Sequence, residues 1–429
     1  MFIYAERNSP RLSYIAEFAG RQCIGEPFRV TQNAEEYRNS AFPKINYSDR
    51  ALQDGEIWIR PNGLLFENSI KQQAIHCSEL DGLKIFFQNE GSPGFDVFAA
   101  SFFLISRYEE YLPHVKDEYG RYGHVNSIAY KNGFLDQPLV NKWMGLLRKK
   151  LGTEDPDRFE FLPTYDIDEA WSYRHKPWFR NMGGMYRDLL KGDRERVRLR
   201  NNVRAGKRQD PYDSFEWLYA LHEKFILKPL YFFLVAEANG KYDKNIPPSN
   251  EAMMDLIKNI SSRYEIGVHP SWQSGDRSEL LKKEISLLQQ IAGKNISVSR
   301  QHFLRFNLPE GYRRLIDAGI KEDHSMGYGT INGFRASVSS SFYWYDLERD
   351  QVADLFVHPF CFMDANSYYE QRQTPQQTSQ ELLKYLHEVR SVNGRMITLW
   401  HNTFLGDEER FSGWGQVYEE FVKEVKIAR

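Results

Sequence analysis

The chain has 429 residues, with 56 Lys and Arg against 58 Asp and Glu for a net charge of −2. It is 41% hydrophobic and 15% aromatic, the balance of a globular protein long enough for two domains, and nothing global favours nucleic acid or an anionic membrane. Three widely spaced cysteines, Cys23, Cys77 and Cys361, argue against a disulfide framework or a cysteine metal site.

The N-terminal stretch meets charge at Glu6 and Arg7, so it does not read as a signal peptide. No run has the length of a transmembrane helix, and a cytoplasmic protein is expected. Residues 1–155 mix short strand-like runs, Ile57-Trp58-Ile59, Leu64-Leu65-Phe66 and Leu83 to Phe87, with helical ones. Asp96 to Tyr111 carries Phe98, Phe102 and Ile105, then Glu109 and Glu110. Val140 to Leu151 reads as a helix stopped by Gly152. The polar bridge 152–157 then marks a boundary between a smaller α+β domain, 1–155, and a second domain, 156–429.

From there strand and helix alternate. Phe159 to Thr164 reads as a strand, Ser214 to Phe225 as a helix and Leu230 to Val235 as a strand. Ala252 to Tyr264 is helical, with Met254, Ile257 and Ile260 on one face, and Glu265 to Val268 is a strand. Asp276 with Glu279 reads as a capping box for a helix through Leu281, Ile285, Leu288 and Ala292. Val298 to Phe303 reads as a strand. Thr374-Pro375 opens a helix through Leu382, Leu386 and Val389, and Arg395 to Trp400 is the last strand. This alternation predicts an α/β fold with parallel strands and right-handed crossovers, most simply a barrel with its site at the C-terminal mouth. One interruption, 184–211, is densely basic. It reads either as a helical arm over a polyanionic or lipid-linked substrate or as a solvated surface insertion.

The chemistry sits at strand ends. Asp166 and Asp168, in Thr164-Tyr165-Asp166-Ile167-Asp168, alternate at the end of an apolar run. They can divide metal binding from general-base work, or cap a helix. His269, in Gly267-Val268-His269-Pro270-Ser271, can be a ligand or a packed loop residue. Arg300 and His302 share a face, so Arg300 can hold Asp166 ionised while His302 reaches a metal. They can equally be a buried ion pair beside a core histidine. His401, after Thr398-Leu399-Trp400, can give a proton to a leaving group or cap the next helix.

Together these segments resemble the NodB homology domain of polysaccharide deacetylases, carbohydrate esterase family 4, in a bacterial subgroup with an extra N-terminal domain. Thr164-Tyr165-Asp166-Ile167-Asp168 is similar to that family's first motif, with one residue between the aspartates. His269 and Ser271 match the start of the second, Arg300-Gln301-His302-Phe303 the third with His in place of Pro, and Leu399-Trp400-His401 the last. The resemblance spans about 158–410 and implies a distorted (β/α) barrel and a divalent metal, usually zinc. It implies Asp166 as base, Asp168 and His269 as ligands and His401 as general acid.

Four residues after His269 stands Gln273, where the family carries a further ligand, so His302 is expected to supply it. Arg300 would orient Asp166. Ser271, Tyr165, Arg305 and Arg335 are weaker candidates for substrate contact, the two arginines for an anionic part of it, with structural ion pairs as the alternative for both. The implied activity removes N-acetyl groups from a sugar or surface polysaccharide. An Asp-x-Asp glycosyltransferase using a nucleotide sugar and a carbohydrate-binding pseudoenzyme are the alternatives. For residues 1–155, two roles stand open: an adaptor docking on polysaccharide-assembly proteins and a lid that shapes the cleft.

Overall fold

The computed structural model describes residues 1–155, 158–238 and 240–427. The first segment holds a parallel sheet of four very short strands, β1 (Phe2–Tyr4), β2 (Arg29–Thr31), β3 (Lys44–Asn46) and β4 (Ile57–Trp58), in the order β2-β1-β3-β4. Helix Pro10–Ile24 packs on it. Ser9 caps this helix by accepting from the Leu12 N–H at 3.0 Å, and Gly25 ends it at φ 78°. A hairpin follows, β5 (Ser78–Leu80) and β6 (Leu83–Ile85). Leu64–Phe66 is a single 3-10 turn rather than the expected strand. Helix Val97–Ile105 is buried on every side, which explains why its sequence is apolar all round. Asp96 caps it, accepting from the Ala99 N–H at 2.9 Å.

Nine strands form the large sheet: β7 (Glu160–Ile167), β8 (Leu230–Phe233), β9 (Glu265–Val268), β10 (Val298–Ser299), β11 (Glu322–Asp323), β12 (Phe342–Asp346), β13 (Gln351–Val357), β14 (Phe362–Met363) and β15 (Arg395–His401). Their order is β12-β13-β11-β10-β9-β8-β7-β15-β14, and every pair is parallel except β12 with β13. Helices Phe215–Phe225, Glu251–Arg263, Ser278–Ala292 and Pro375–Arg390 link successive parallel strands, as alternation predicts. The sheet is therefore mixed α/β and rich in parallel strands. Among the described residues no ladder joins β12 to β14, so a closed barrel is not seen.

Two local expectations need correcting. The 278–292 helix has no side-chain cap, because Asp276 lies in a preceding 3-10 turn and pairs with Arg305 instead. The strand expected over Val298 to Phe303 stops at Ser299, and the chain turns sharply through His302–Leu304. Thr374 does form a capping box with Gln377.

One hydrophobic core runs from Ile3 through Phe102 and Trp143 to Trp400 and Val425. Polar ties cross it as well. Arg11 meets Asp350 at 2.9 Å, and the Tyr14 hydroxyl donates to the Tyr343 carbonyl at 2.8 Å. Of the polar bridge at 152–157, Pro156 and Asp157 lie outside the described residues. All three cysteines are free.

Candidate active site

Parallel register brings the chemistry together. Asp166 lies opposite His401 of β15 on one side and Phe232 of β8 on the other. Val268, just before His269, is level with Phe233 of β8 and Ser299 of β10. The C-terminal ends of β7, β9, β10 and β15 thus deliver Asp166, Asp168, His269, His302 and His401 to one cavity of about 440 Å³.

Thr164 and Arg300 set the aspartate. Pro163 offers no N–H in the middle of the sheet, and next to it the Thr164 hydroxyl donates to the Thr398 carbonyl at 2.7 Å. The same oxygen accepts from Arg300 Nη1 at 2.7 Å, and Nη1 also donates to Asp166 Oδ1 at 2.9 Å. Arg300 is fully buried, its guanidinium 4.4 Å from the Phe232 ring centroid and its Nε on the His324 carbonyl at 3.0 Å. Burial lowers its pKa, with Asp166 acting in the opposite direction. Gly267 makes room for this stack: a Cβ there would stand 2.7 Å from the Phe232 ring.

Asp168 is the hub of three imidazoles. His269 Nε2 lies 3.1 Å from Oδ1, His302 Nε2 3.4 Å from Oδ2 and His401 Nε2 3.5 Å from Oδ2. Each ring is fixed through its other nitrogen. His269 Nδ1 donates to the Arg300 carbonyl at 2.6 Å, which leaves Nε2 as the free lone pair. His302 Nδ1 meets Asp243 Oδ1 at 3.0 Å, and His401 Nδ1 meets Asp364 Oδ1 at 2.6 Å. Burial pushes the Asp168 carboxyl up, but His302, His269 and His401 outweigh it and hold it well below the usual carboxylate range. Burial opposes charge on His302 and His401 too. Asp168 and Asp243 nonetheless raise His302 to about 9, and Asp364 with Asp168 and Asp166 raises His401 to about 10.

This donor set fits a divalent cation. Asp168, His269 and His302 each offer a ligand atom, all within 4.8 Å of one another. Asp168 Oδ1 is buried without a hydrogen-bond partner: with the His269 proton on Nδ1, the Nε2 lone pair faces this oxygen at 3.1 Å, an arrangement a cation between them would satisfy. One carboxylate and two imidazoles with room for further ligands suit zinc, and also cobalt, nickel or iron. Such an ion competes with the proton on His302.

The sharp turn after Arg300 aims His302. Phe303 and Leu304 both take left-handed φ, 57° and 51°, conformations that non-glycine residues adopt only under constraint. Arg121 supplies part of it by donating Nη1 to the Phe303 carbonyl at 2.6 Å. Arg121 and Tyr119, from the first 155 residues, also line the cavity.

Four expected contacts fall elsewhere. Tyr165 alternates with Asp166 onto the opposite face of β7, where its hydroxyl meets His222 at 2.8 Å and Tyr418 at 2.5 Å. Arg335 is buried on Glu110, at 2.9 and 2.6 Å, so it serves the core. Ser271 is buried in a turn, its Oγ accepting from the Ser274 N–H at 3.2 Å. Arg305 pairs with Asp276 and lies over Trp272, and it does not line the cavity.

Several lining or supporting residues were not apparent in the sequence. Asp364 follows the apolar Phe362–Met363 strand as Asp168 follows β7, a signal that was there to find. Asp243 sits in a loop without periodicity. Tyr212, Tyr369 and Arg410 line the cavity rim.

A family of unknown function, DUF7033, matches residues 1–156. No curated protein matches the chain. A candidate polysaccharide deacetylase from Mycobacterium smegmatis is similar at 14% identity and a TM-score of 0.41, covering 64% of this chain and 86% of that one. The Puue allantoinase is similar at 12% identity and 0.38, covering 63% and 84%. The polysaccharide deacetylase Bc1974 from Bacillus cereus is similar at 12% identity and 0.32, covering 62% and 88%. These likenesses are distant.

Proposed function

We propose that this chain is a metal-dependent hydrolase of NodB type that removes N-acetyl groups from a glycan, with zinc as its ion. The observation that carries this reading is Asp168 among three imidazole Nε2 atoms at 3.1, 3.4 and 3.5 Å, with Asp166 beside them. Asp168, His269 and His302 would hold the ion, which supplies Lewis acidity toward a water and an amide carbonyl.

The chain's own residues do the rest. Arg300 occupies Asp166 Oδ1, leaving Oδ2 turned toward His269 at 3.6 Å. Asp166 takes a proton from the water as it adds to the carbonyl carbon. The C–N bond then breaks, and the departing sugar nitrogen takes a proton from His401 Nε2. The Asp364 carboxylate on Nδ1 at 2.6 Å favours the charged imidazole, which suits His401 to hold that proton. The products are acetate and a free amino sugar. An Asp-x-Asp transferase would give the three histidines no task.

The test is acetate release from N-acetylglucosamine oligomers by zinc-supplemented protein. Wild type releases acetate and free amine, and Asp166→Asn falls roughly a hundredfold or more. Absence of acetate from every N-acetylated glycan tried would overturn the reading, and binding of a sugar nucleotide would then favour the transferase.

A further inference from the structure

The basic interruption forms two helices, Trp178–Leu190 and Arg194–Arg204. The first is amphipathic, but it is turned inside out. A helix on a globular protein normally buries its apolar stripe. Here Asn181 and Asp188 are buried, held by Arg200 of the second helix at 3.3 and 2.5 Å. Trp178, Phe179, Met182, Tyr186, Leu189 and Leu190 face outward, between 46 and 71% exposed. At 3.6 residues per turn these six positions fall within an arc of about 120°. They form one continuous apolar face with aromatic residues at its start and middle.

Charge surrounds that face. Residues 174–208 contain twelve Lys and Arg against three Asp and Glu, in a chain whose net charge is −2. Two of the three acids are engaged locally: Asp188 pairs with Arg200, and Asp193 caps the second helix. Arg187, Lys191, Arg194, Arg198, Arg204 and Lys207 are exposed. The arm is also tied to the cavity rim. Arg196 meets Glu408 at 3.3 Å, Glu408 lies 3.8 Å from Arg410, and Arg410 lines the cavity.

We infer that helix Trp178–Leu190 is a docking surface for an anionic lipid bilayer, its apolar face in the headgroup boundary and the surrounding arginines and lysines on lipid phosphates. Trp, Phe, Tyr and Leu on one face with a basic surround is the composition of an interfacial helix. The helix has 13 residues, too few to cross a bilayer, so the docking inferred is in the plane of the surface. Two forces act together. Apolar burial fixes depth, and each Lys or Arg near an anionic surface adds roughly fivefold in partitioning, with salt screening the second force alone. This inference concerns binding and stands apart from the hydrolase reading.

The experiment is sedimentation of the full chain with phosphatidylcholine vesicles, with and without phosphatidylglycerol. Wild type is expected to sediment with the phosphatidylglycerol vesicles and to be released by added salt. A Trp178→Ser, Phe179→Ser variant is expected to bind about tenfold more weakly or worse. Both residues are exposed, so an unchanged far-UV circular dichroism spectrum checks that the variant is folded. Leu189→Asp gives a second, independent loss at the other end of the face. The inference is overturned if wild type ignores the anionic vesicles or the variants bind as well as wild type. It is equally overturned if light scattering shows a dimer that the variants convert to monomer, since a second copy then covers the face.

Discussion

Asp364 grips His401 at two points. One carboxylate oxygen accepts the backbone N–H at 2.6 Å and the other meets ring Nδ1 at 2.6 Å. The pair fixes where Nε2 points and keeps a proton on the ring, as a proton donor requires. Asp364→Asn removes the charge while preserving the shape. Acetate release is expected to fall roughly a hundredfold, with zinc content unchanged. Metal analysis beside steady-state kinetics separates this outcome from loss of the ion, and an unaltered kcat would remove His401 from the chemistry.

Asp243 does for His302 what Asp364 does for His401. A carboxylate on the far nitrogen raises the basicity of a ligand imidazole and fixes its tautomer. Asp243→Asn is expected to weaken zinc binding about 10- to 100-fold, as read by competition with a chromophoric chelator. Equal affinity would mean that His302 is not a ligand.

Glu110 lies between Arg335 and Arg107, all three buried. Burial alone would raise its carboxyl, but the two guanidiniums lower it to about 2. Glu110→Leu strands the buried Arg335 and leaves Arg107 with Glu109 alone, at 2.9 Å, and a loss of about 3–5 kcal/mol is expected in urea unfolding. A change below about 1 kcal/mol would show that water reaches these arginines.

His222 gives a signature in pH. Burial lowers its pKa to about 3, and its Nε2 shares a hydrogen bond with the Tyr165 hydroxyl at 2.8 Å. The unfolded chain binds a proton near pH 6.5. Below that pH the unfolded state therefore gains protons that the folded state refuses, and stability falls progressively down to about pH 3. Replacing His222 with Phe should flatten the decline between pH 6.5 and 4, measured as urea midpoints. An unchanged slope would show that other groups govern acid stability.

How much of this was legible depended on periodicity. Asp166, Asp168, His269 and His401 each lie at the close of an apolar or β-prone run, so the strand pattern alone points them to one mouth. His302 was visible only as a histidine where proline was expected, and its aim depends on the left-handed Phe303 and Leu304, which no pattern announces. Asp243 was invisible because a loop residue has no period. Of the four-stranded sheet of the first segment only β4, in Ile57-Trp58-Ile59, was legible, because two or three residues are too few to show alternation. The outward face of Trp178–Leu190 was illegible for another reason. An amphipathic helix has the same period whichever face it buries, and only Arg200 closing on Asp188 decides it.

Zinc titration of the metal-free protein by calorimetry, wild type beside His302→Ala, tests the metal centre most directly. Wild type is expected to take up one equivalent with proton release, and His302→Ala to bind at least about a hundredfold more weakly. A wild-type protein that takes up no zinc, or a His302→Ala protein that binds it just as tightly, would contradict a centre built from Asp168, His269 and His302.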